Sequence, residues 1–265
     1  MDARVKKLIE ANYADQRSDE WLALRKTMLT ASDVATALGL NPYEKPERLI
    51  YKKCGALGFR GNAATLHGQQ YEPIARDMYI ERTGEIVHEI GLVVHPKYPW
   101  IGGSPDGITE SGKLIEIKCP MSRKIDGTVP KHYMPQIQVL LDILDMDVCD
   151  FVQLNAQTGE FSMTRVDRDR AWFEWALPEL SAFWNRVVER RSFPLCEIMV
   201  PSCSPSAECQ DVHKDTVSMV EDFSQALDCN SSCQTDTCTQ SSEVDSATPV
   251  SHSLPSEPPC CSVTV

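Results

Sequence analysis

The chain has 265 residues, of which 42% are hydrophobic, and it carries a formal net charge of −12 at pH 7. This length allows one large domain or two small ones. The sequence contains no run of about 18 apolar residues, so we expect no membrane span. The first residues lack the apolar segment of a signal peptide, so we expect an intracellular protein, nuclear or cytoplasmic and not secreted, with reduced cysteines.

Hydrophobic periodicity, capping residues and turn residues predict alternating helices and strands along the first 199 residues. The predicted helices span residues 2–12, 18–25, 31–38, 46–54, 63–83, 130–144 and 168–190. The predicted strands span residues 85–95, 100–108, 113–119, 149–156 and 160–166. Gly84 should close the helix at 63–83, and Pro73 should kink or restart it. This order predicts an α/β (α+β) domain, with a central mixed β-sheet flanked by helices.

The composition changes sharply after Met199. Residues 201–265 contain ten acidic residues and one Lys, a net charge of −9, and seven of the eleven cysteines. Ser, Thr and Pro are frequent there, which is typical of a disordered chain. We therefore expect a folded domain at 1–199 and a disordered acidic, Ser- and Cys-rich tail at 200–265. The first 200 residues carry a net charge of only −3, which neither requires nor forbids a nucleic-acid partner.

Residues 103–120, GSPDGITESGKLIEIKCP, place charged side chains within an apparent hairpin. Strand alternation puts Glu116 and Lys118 on one face, and a hairpin centred on Ser111 puts Asp106 opposite Glu116. The two carboxylates could then bind one divalent cation, with Lys118 beside it to hold and deprotonate a water. A slip of one residue would separate them. The same three residues could also be solvated side chains on an open sheet face.

The stretch SPDG…IEIKCP resembles the core of the PD-(D/E)xK nuclease superfamily, and more closely the lambda-type exonucleases and the YqaJ-like viral recombinase family. Three further blocks follow the family order: EWLALRKTMLTASDVATALG at 20–39, HGQQYEPIARDMY at 67–79 and HYMPQIQ at 132–138. The resemblance covers about residues 20–190 and implies a restriction-endonuclease-like nuclease core.

The resemblance implies a metal site. Asp106 and Glu116 would be direct metal ligands together with the backbone carbonyl of Ile117, and Glu72 would be a further acidic group reaching the metal. Hard oxygen ligands without a nearby His or Cys cluster favour Mg²⁺ or Mn²⁺ over Zn²⁺.

The resemblance also implies roles for residues around the metal. Lys118 would orient the attacking water, and Gln136 would line the site. A pocket for a terminal 5′-phosphate would contain Arg25, Ser32, Ser104 and Arg123. The tryptophans have the spacing of helix-core residues, which predicts that they are not base-stacking platforms: Trp21, Trp172, Trp175 and Trp184.

By this resemblance we expect an Mg²⁺-dependent DNA exonuclease, acting 5′ to 3′ on duplex ends in recombination or DNA processing. Lambda-type enzymes form homotrimers around DNA and work beside a single-strand annealing protein, which would be the implied partners. Two alternatives remain: an endonuclease or RNase built on the same metal site, or a non-cleaving, domesticated DNA-end-binding protein.

Overall fold

The computed structural model describes residues 1–57 and 63–193. All seven predicted helices are present in these ranges, together with a 3₁₀ turn at Ala31–Asp33. The helices are α1 (Ala3–Glu10), α2 (Asp19–Thr27), α3 (Val34–Ala37), α4 (Pro46–Lys53), α5 (Ala63–Thr83), α6 (Met134–Ile143) and α7 (Arg170–Arg191). The predicted domain boundary near residue 199 and the predicted tail at 200–265 lie outside the described residues.

Eight strands in the described ranges form two sheets. They are β1 (Leu29–Thr30), β2 (Val87–His88), β3 (Val93–Val94), β4 (Ile101–Gly103), β5 (Gly107–Thr109), β6 (Leu114–Lys118), β7 (Val148–Asn155) and β8 (Glu160–Asp167). The larger sheet has the order β2-β5-β6-β7-β8, and only β6 and β7 are parallel in it. The smaller sheet has the order β1-β4-β3. The predicted mixed α/β class is therefore confirmed.

Two of the predicted strands are interrupted and shared between the sheets. The run at 85–95 breaks around Gly91, where an added Cβ would lie 2.0 Å from the carbonyl oxygen of Ala14. The run at 100–108 breaks at Pro105, which has no N–H to donate to a strand ladder. These breaks explain why the single predicted sheet is divided into two.

Strand β6 is covered on both faces. Helix α6 forms the crossover from β6 to the parallel strand β7, and the core on that side includes Leu114 and Phe151. Helix α5 covers the opposite face, where Tyr79 packs with Ile115 and Ile117. Strand β6 is thus the centre of a three-layer arrangement, in which Glu116 is removed from bulk water.

Helix α5 continues through Pro73, so of the two outcomes predicted there, a kink or a restart, the restart is wrong. Pro73 removes one hydrogen bond, to the carbonyl of Gln69, and both residues are exposed, so water can bond that carbonyl instead. Gly84 closes the helix as predicted, with φ 69° and its N–H donated to the Ile80 carbonyl at 2.8 Å. A membrane-spanning helix is absent from the described parts of the chain.

Candidate active site

The hairpin β5–β6 has the register predicted from its turn. Gly107 pairs with Ile115 and Ile108 with Leu114, which centres the hairpin on residue 111. Asp106, just before β5, is consequently across from Glu116, and its Oδ2 accepts the N–H of Ile117 at 2.7 Å. The two carboxylates are therefore brought to the same end of the hairpin.

Glu116 is fully buried, and only part of its carboxylate is hydrogen-bonded. Its Oε1 accepts from Gln136 Nε2 at 2.6 Å and from the Lys118 ammonium. Its Oε2 has no hydrogen-bond partner among the residues that the structure describes. Buried carboxyl oxygens are normally hydrogen-bonded, so this unpartnered one is available to a ligand.

The charges around Glu116 perturb one another. Burial and the negative charge of Asp106 raise the pKa of Glu116 to about 8, although Lys118 opposes the shift. Burial alone would lower the pKa of Lys118, but the carboxylates of Glu116 and Asp106 outweigh it and hold that pKa above its ordinary value. Burial and Asp106 also raise the pKa of Glu72. The pKa values of two acidic side chains, Glu72 and Glu116, are thus raised beside Asp106, at a place where a bound cation would favour their charged forms.

The donor set fits a hard divalent cation. Within the described ranges, no group of three or more His, Cys, Asp or Glu residues is arranged to hold a metal. A site with Asp106, Glu116 and a backbone carbonyl from Ile117 offers two carboxylates, which matches Mg²⁺ because that ion keeps waters and substrate phosphates as its other ligands. The unpartnered Oε2 of Glu116 is the specific feature that such an ion would explain.

Glu72 projects from α5 and is held by two arginines. Its Oε1 accepts from Arg76 Nη2 at 2.9 Å, and its Oε2 lies 3.3 Å from Arg17 Nη2. The effect of Asp106 on the pKa of Glu72 shows that these two side chains are close, and a metal-binding role for Glu72 stays a prediction. Sequence reasoning missed both arginines. The i, i+4 spacing of Glu72 and Arg76 on the predicted helix could have indicated that pair, whereas Arg17 lies outside the motif blocks and 55 residues from Glu72.

The site makes a prediction about pH and stability. Because the folded-state pKa of Glu116 is about 8 and its ordinary value is 4.5, the folded protein binds this proton more tightly. Stability should therefore fall as pH rises from about 4.5 to about 8, by on the order of a few kcal/mol. Glu116→Gln removes this contribution. Urea unfolding in EDTA across that pH range should give a flatter profile for the variant, and parallel profiles would contradict the pKa shift.

A second group of predicted residues lies around α2. Arg25 Nη2 donates to Ser32 Oγ at 3.0 Å, and the Arg25 guanidinium lies 4.4 Å from the centre of the Trp21 ring. The Trp21 indole N–H donates to Ser104 Oγ at 2.8 Å. Arg25, Ser32 and Ser104 are therefore linked through Trp21. The prediction that the tryptophans are core residues is confirmed for Trp184, which is buried, and wrong for Trp21, which is half-buried, and for Trp175, which is 60% exposed.

An ion pair between Lys53 and Asp33 lies beside this group. Lys53 Nζ lies 2.7 Å from Asp33 Oδ2 and also donates to the Arg25 carbonyl at 2.8 Å. Burial would raise the pKa of Asp33, but the positive charges of Lys53 and Arg25 outweigh it and lower that pKa. Asp33 thus remains ionised and anchors the segment that presents Arg25 and Ser32.

Arg123 makes its side-chain hydrogen bond to a residue of β7 and not to the group around α2. Its Nη2 donates to Gln153 Oε1 at 2.5 Å, and Gln153 pairs with Lys118 across β6 and β7. No hydrogen bond joins Arg123 to Arg25, Ser32 or Ser104 among the described residues. Its guanidinium therefore approaches the Lys118 side of the site, and a role in the phosphate pocket stays a prediction.

The chain resembles known proteins over this part of its length. Residues 20–147 match the family model of the YqaJ-like viral recombinase domain. Protein R354 of Acanthamoeba polyphaga mimivirus is 37% identical over 158 residues, 52% of this chain and 29% of that protein. Protein D345L of African swine fever virus (strain Badajoz 1971) is 34% identical over 155 residues, 46% of this chain and 44% of that protein. The chain therefore spans less than half of the curated relatives it matches.

A solved structure shows the same fold. The alkaline exonuclease LHK-Exo from Laribacter hongkongensis, crystallised in complex with dAMP, superposes with a TM-score of 0.57 at 32% identity. The match covers 66% of this chain and 95% of that one. It therefore extends across nearly all of the exonuclease.

Proposed function

We propose, given that this chain belongs to the YqaJ-like viral recombinase domain family, that it is a metal-dependent nuclease that removes nucleotides from the ends of duplex DNA. The observation that carries this proposal is Glu116, a fully buried carboxylate with one oxygen unpartnered, which lies across from Asp106 and against Lys118. A structural glutamate at the centre of a sheet would be expected to have both oxygens satisfied.

The metal would be held by Asp106, Glu116 and the Ile117 carbonyl, with Glu72 nearby. When bound, Mg²⁺ or Mn²⁺ supplies Lewis acidity to the scissile phosphate and acidifies a water. Exposed over about a quarter of its side chain, Lys118 can reach that water while it remains in contact with Glu116. Lys118 would thus orient the nucleophile and balance the charge that develops on the phosphate.

The side chain of Gln136 would position the carboxylate. Its amide donates to Glu116 Oε1, which leaves Oε2 as the oxygen available to a cation. Gln136 lies near the beginning of α6, a helix that is largely buried beside β6, so its amide is held on a rigid element. We therefore assign Gln136 to holding Glu116 in a metal-binding orientation.

The direction of strand degradation would be set by the group around α2. The guanidinium of Arg25 and the hydroxyls of Ser32 and Ser104 provide the charged and neutral donors that bind a terminal phosphate. A 5′-phosphate held there would present the adjacent phosphodiester to the carboxylates and give 5′-to-3′ removal. The homotrimer around DNA and the single-strand annealing protein remain predictions from the family.

A single assay tests this proposal and its alternatives. We expect the full chain with Mg²⁺ to degrade linear duplex DNA with 5′-phosphates, to degrade 5′-hydroxyl ends more slowly, and to leave circular duplex intact. EDTA should stop all cleavage. Arg25→Ala should slow the phosphorylated substrate by about tenfold, since it removes a charge-assisted contact, and leave the 5′-hydroxyl rate unchanged. Cutting of the circle would favour an endonuclease, and binding without cleavage would favour a non-cleaving DNA-end-binding protein.

A further inference from the structure

The turn before α2 holds Arg17 in an unusual backbone conformation. Arg17 has φ 72°, in the left-handed region that residues with a Cβ seldom adopt. Such a residue persists only where its surroundings determine the conformation, and it is often found at a functional site. Arg17 is not used by the metal site or by the predicted phosphate pocket, so its conformation needs a separate explanation.

The turn is fixed on both sides of Arg17. On one side, the Gln16 amide donates to the carbonyls of Ile90 at 3.1 Å and Pro105 at 2.9 Å, and Pro105 directly precedes Asp106. On the other, the Ser18 side chain caps α2 by accepting the N–H of Trp21 at 3.1 Å. The chain therefore cannot relax at Arg17 without losing these anchors.

The contact that Arg17 makes does not account for this strain. Its guanidinium lies 3.3 Å from Glu72 Oε2 and is 51% exposed. Exposed ion pairs contribute little to stability, and Arg76 already pairs with the other oxygen of Glu72 at 2.9 Å. Among the described residues, Arg17 makes no other hydrogen bond, so most of its five donors are accessible to a ligand.

The location of Arg17 indicates the kind of ligand. Its neighbour Gln16 is bonded next to Asp106, and its own partner Glu72 belongs to the proposed metal carboxylates. On the other side, α2 carries Trp21, which binds Ser104 in the predicted pocket for the 5′-phosphate. Arg17 thus lies between the two places where the proposed function puts phosphates, with a planar cation suited to a phosphate oxygen pair.

We propose that Arg17 binds a phosphodiester of the DNA strand beside the scissile bond, and that it exchanges its contact with Glu72 for that phosphate. This inference rests on the proposed function. Arg17 is then a substrate-binding residue, and its strained turn aims it at the strand before DNA arrives. Because the phosphate is part of the backbone, the contact would be independent of base sequence.

The test compares Arg17→Gly and Arg17→Lys with the unchanged full chain. Glycine accepts φ 72° without strain but removes the charge, whereas lysine keeps the charge. Binding to a labelled, 5′-phosphorylated duplex would be measured in EDTA at several salt concentrations, alongside thermal unfolding. Arg17→Gly should weaken binding about tenfold and make the slope of log K against log salt shallower by about 0.9, with an unchanged or higher unfolding midpoint. Arg17→Lys should keep the slope.

A matched control is Arg165→Ala on β8, since Arg165 is another exposed arginine, paired with Asp167 at 2.9 Å. Its slope and affinity should equal those of the unchanged chain. If Arg17→Gly binds with the same affinity and slope while the unchanged chain binds and cleaves DNA, only the Arg17 proposal is overturned. A lower unfolding midpoint with unchanged affinity would make Arg17 structural and also overturn it. A chain that neither binds nor cleaves DNA would overturn the proposed function as well.

Discussion

Lys118→Ala is expected to slow Mg²⁺-dependent cleavage by about 10³-fold or more, while binding to a duplex end changes only a few-fold. The ammonium contacts Glu116 and lies 5.2 Å from the centre of the Tyr133 ring, so its position is fixed from two sides. Its side chain contacts the buried carboxylate of Glu116 and is still partly exposed to solvent. Single-turnover cleavage of a linear duplex, together with equilibrium binding in EDTA, would measure the two effects separately.

Two further variants make this result interpretable. Lys118→Gln can still donate to Glu116 without a positive charge, so it should fold well even if alanine leaves the buried carboxylate without a partner. Lys113→Ala is the control, because Lys113 directly precedes the same strand but pairs with Glu85 at 2.8 Å and lies 3.7 Å from Asp150. Lys113→Ala should cleave at the unchanged rate. If Lys118→Gln cleaves as fast as the original chain, Lys118 has no catalytic role.

The hairpin register could be predicted because its determinants are local. The turn TESGK contains Gly112, whose φ of 90° needs a glycine, and the alternation of the following strand fixes which side chains share a face. The burial of Glu116 could not be predicted in the same way. It depends on α5 and α6, which cover β6 from both faces and come from distant parts of the chain.

The group around α2 shows that hydrophobic spacing along a helix does not predict which partners its side chains contact. Helix α2 has no fully buried residue, so the apolar positions in it do not define a core face as their spacing predicts. Trp21 is instead directed to Ser104, 83 residues further along the chain, and Arg25 stacks on it. A similar long-range contact takes Arg123 to Gln153. These partners are fixed by tertiary packing, which a motif match does not reveal.

The helices and strands could be predicted from the sequence because each element has local signals. Asp2, Ser18 and Asp169 cap helices α1, α2 and α7 through their side chains, and polar turns separate the strands. The division into two sheets could not be predicted from the sequence. It follows from the close approach of the chain to Gly91 and from Pro105, and the first of these is a contact with Ala14, far away in sequence.

The second large effect is expected from Asp106→Asn. The Oδ2 atom accepts the Ile117 N–H at 2.7 Å, and an asparagine oxygen can accept the same bond, so the hairpin should be preserved while the charge is lost. Cleavage should fall by about 10³-fold, because a bound metal contributes several kcal/mol to transition-state stabilisation. The loss of charge should also lower the pKa of Glu116, since Asp106 is one of the groups that raise it.

In the Asp106→Asn variant, metal binding can be measured independently of cleavage. Mg²⁺ should raise the unfolding midpoint of the original chain, because a ligand that binds only the folded state stabilises it, and it should have little effect on Asp106→Asn. Asp150→Asn is the control: Asp150 accepts from the Tyr79 hydroxyl at 2.7 Å beneath α5 and should leave both the Mg²⁺ response and the cleavage rate intact. An Asp106→Asn protein that Mg²⁺ still stabilises, and that still cleaves DNA, would remove Asp106 from the metal site and with it the pairing of the two carboxylates across the hairpin.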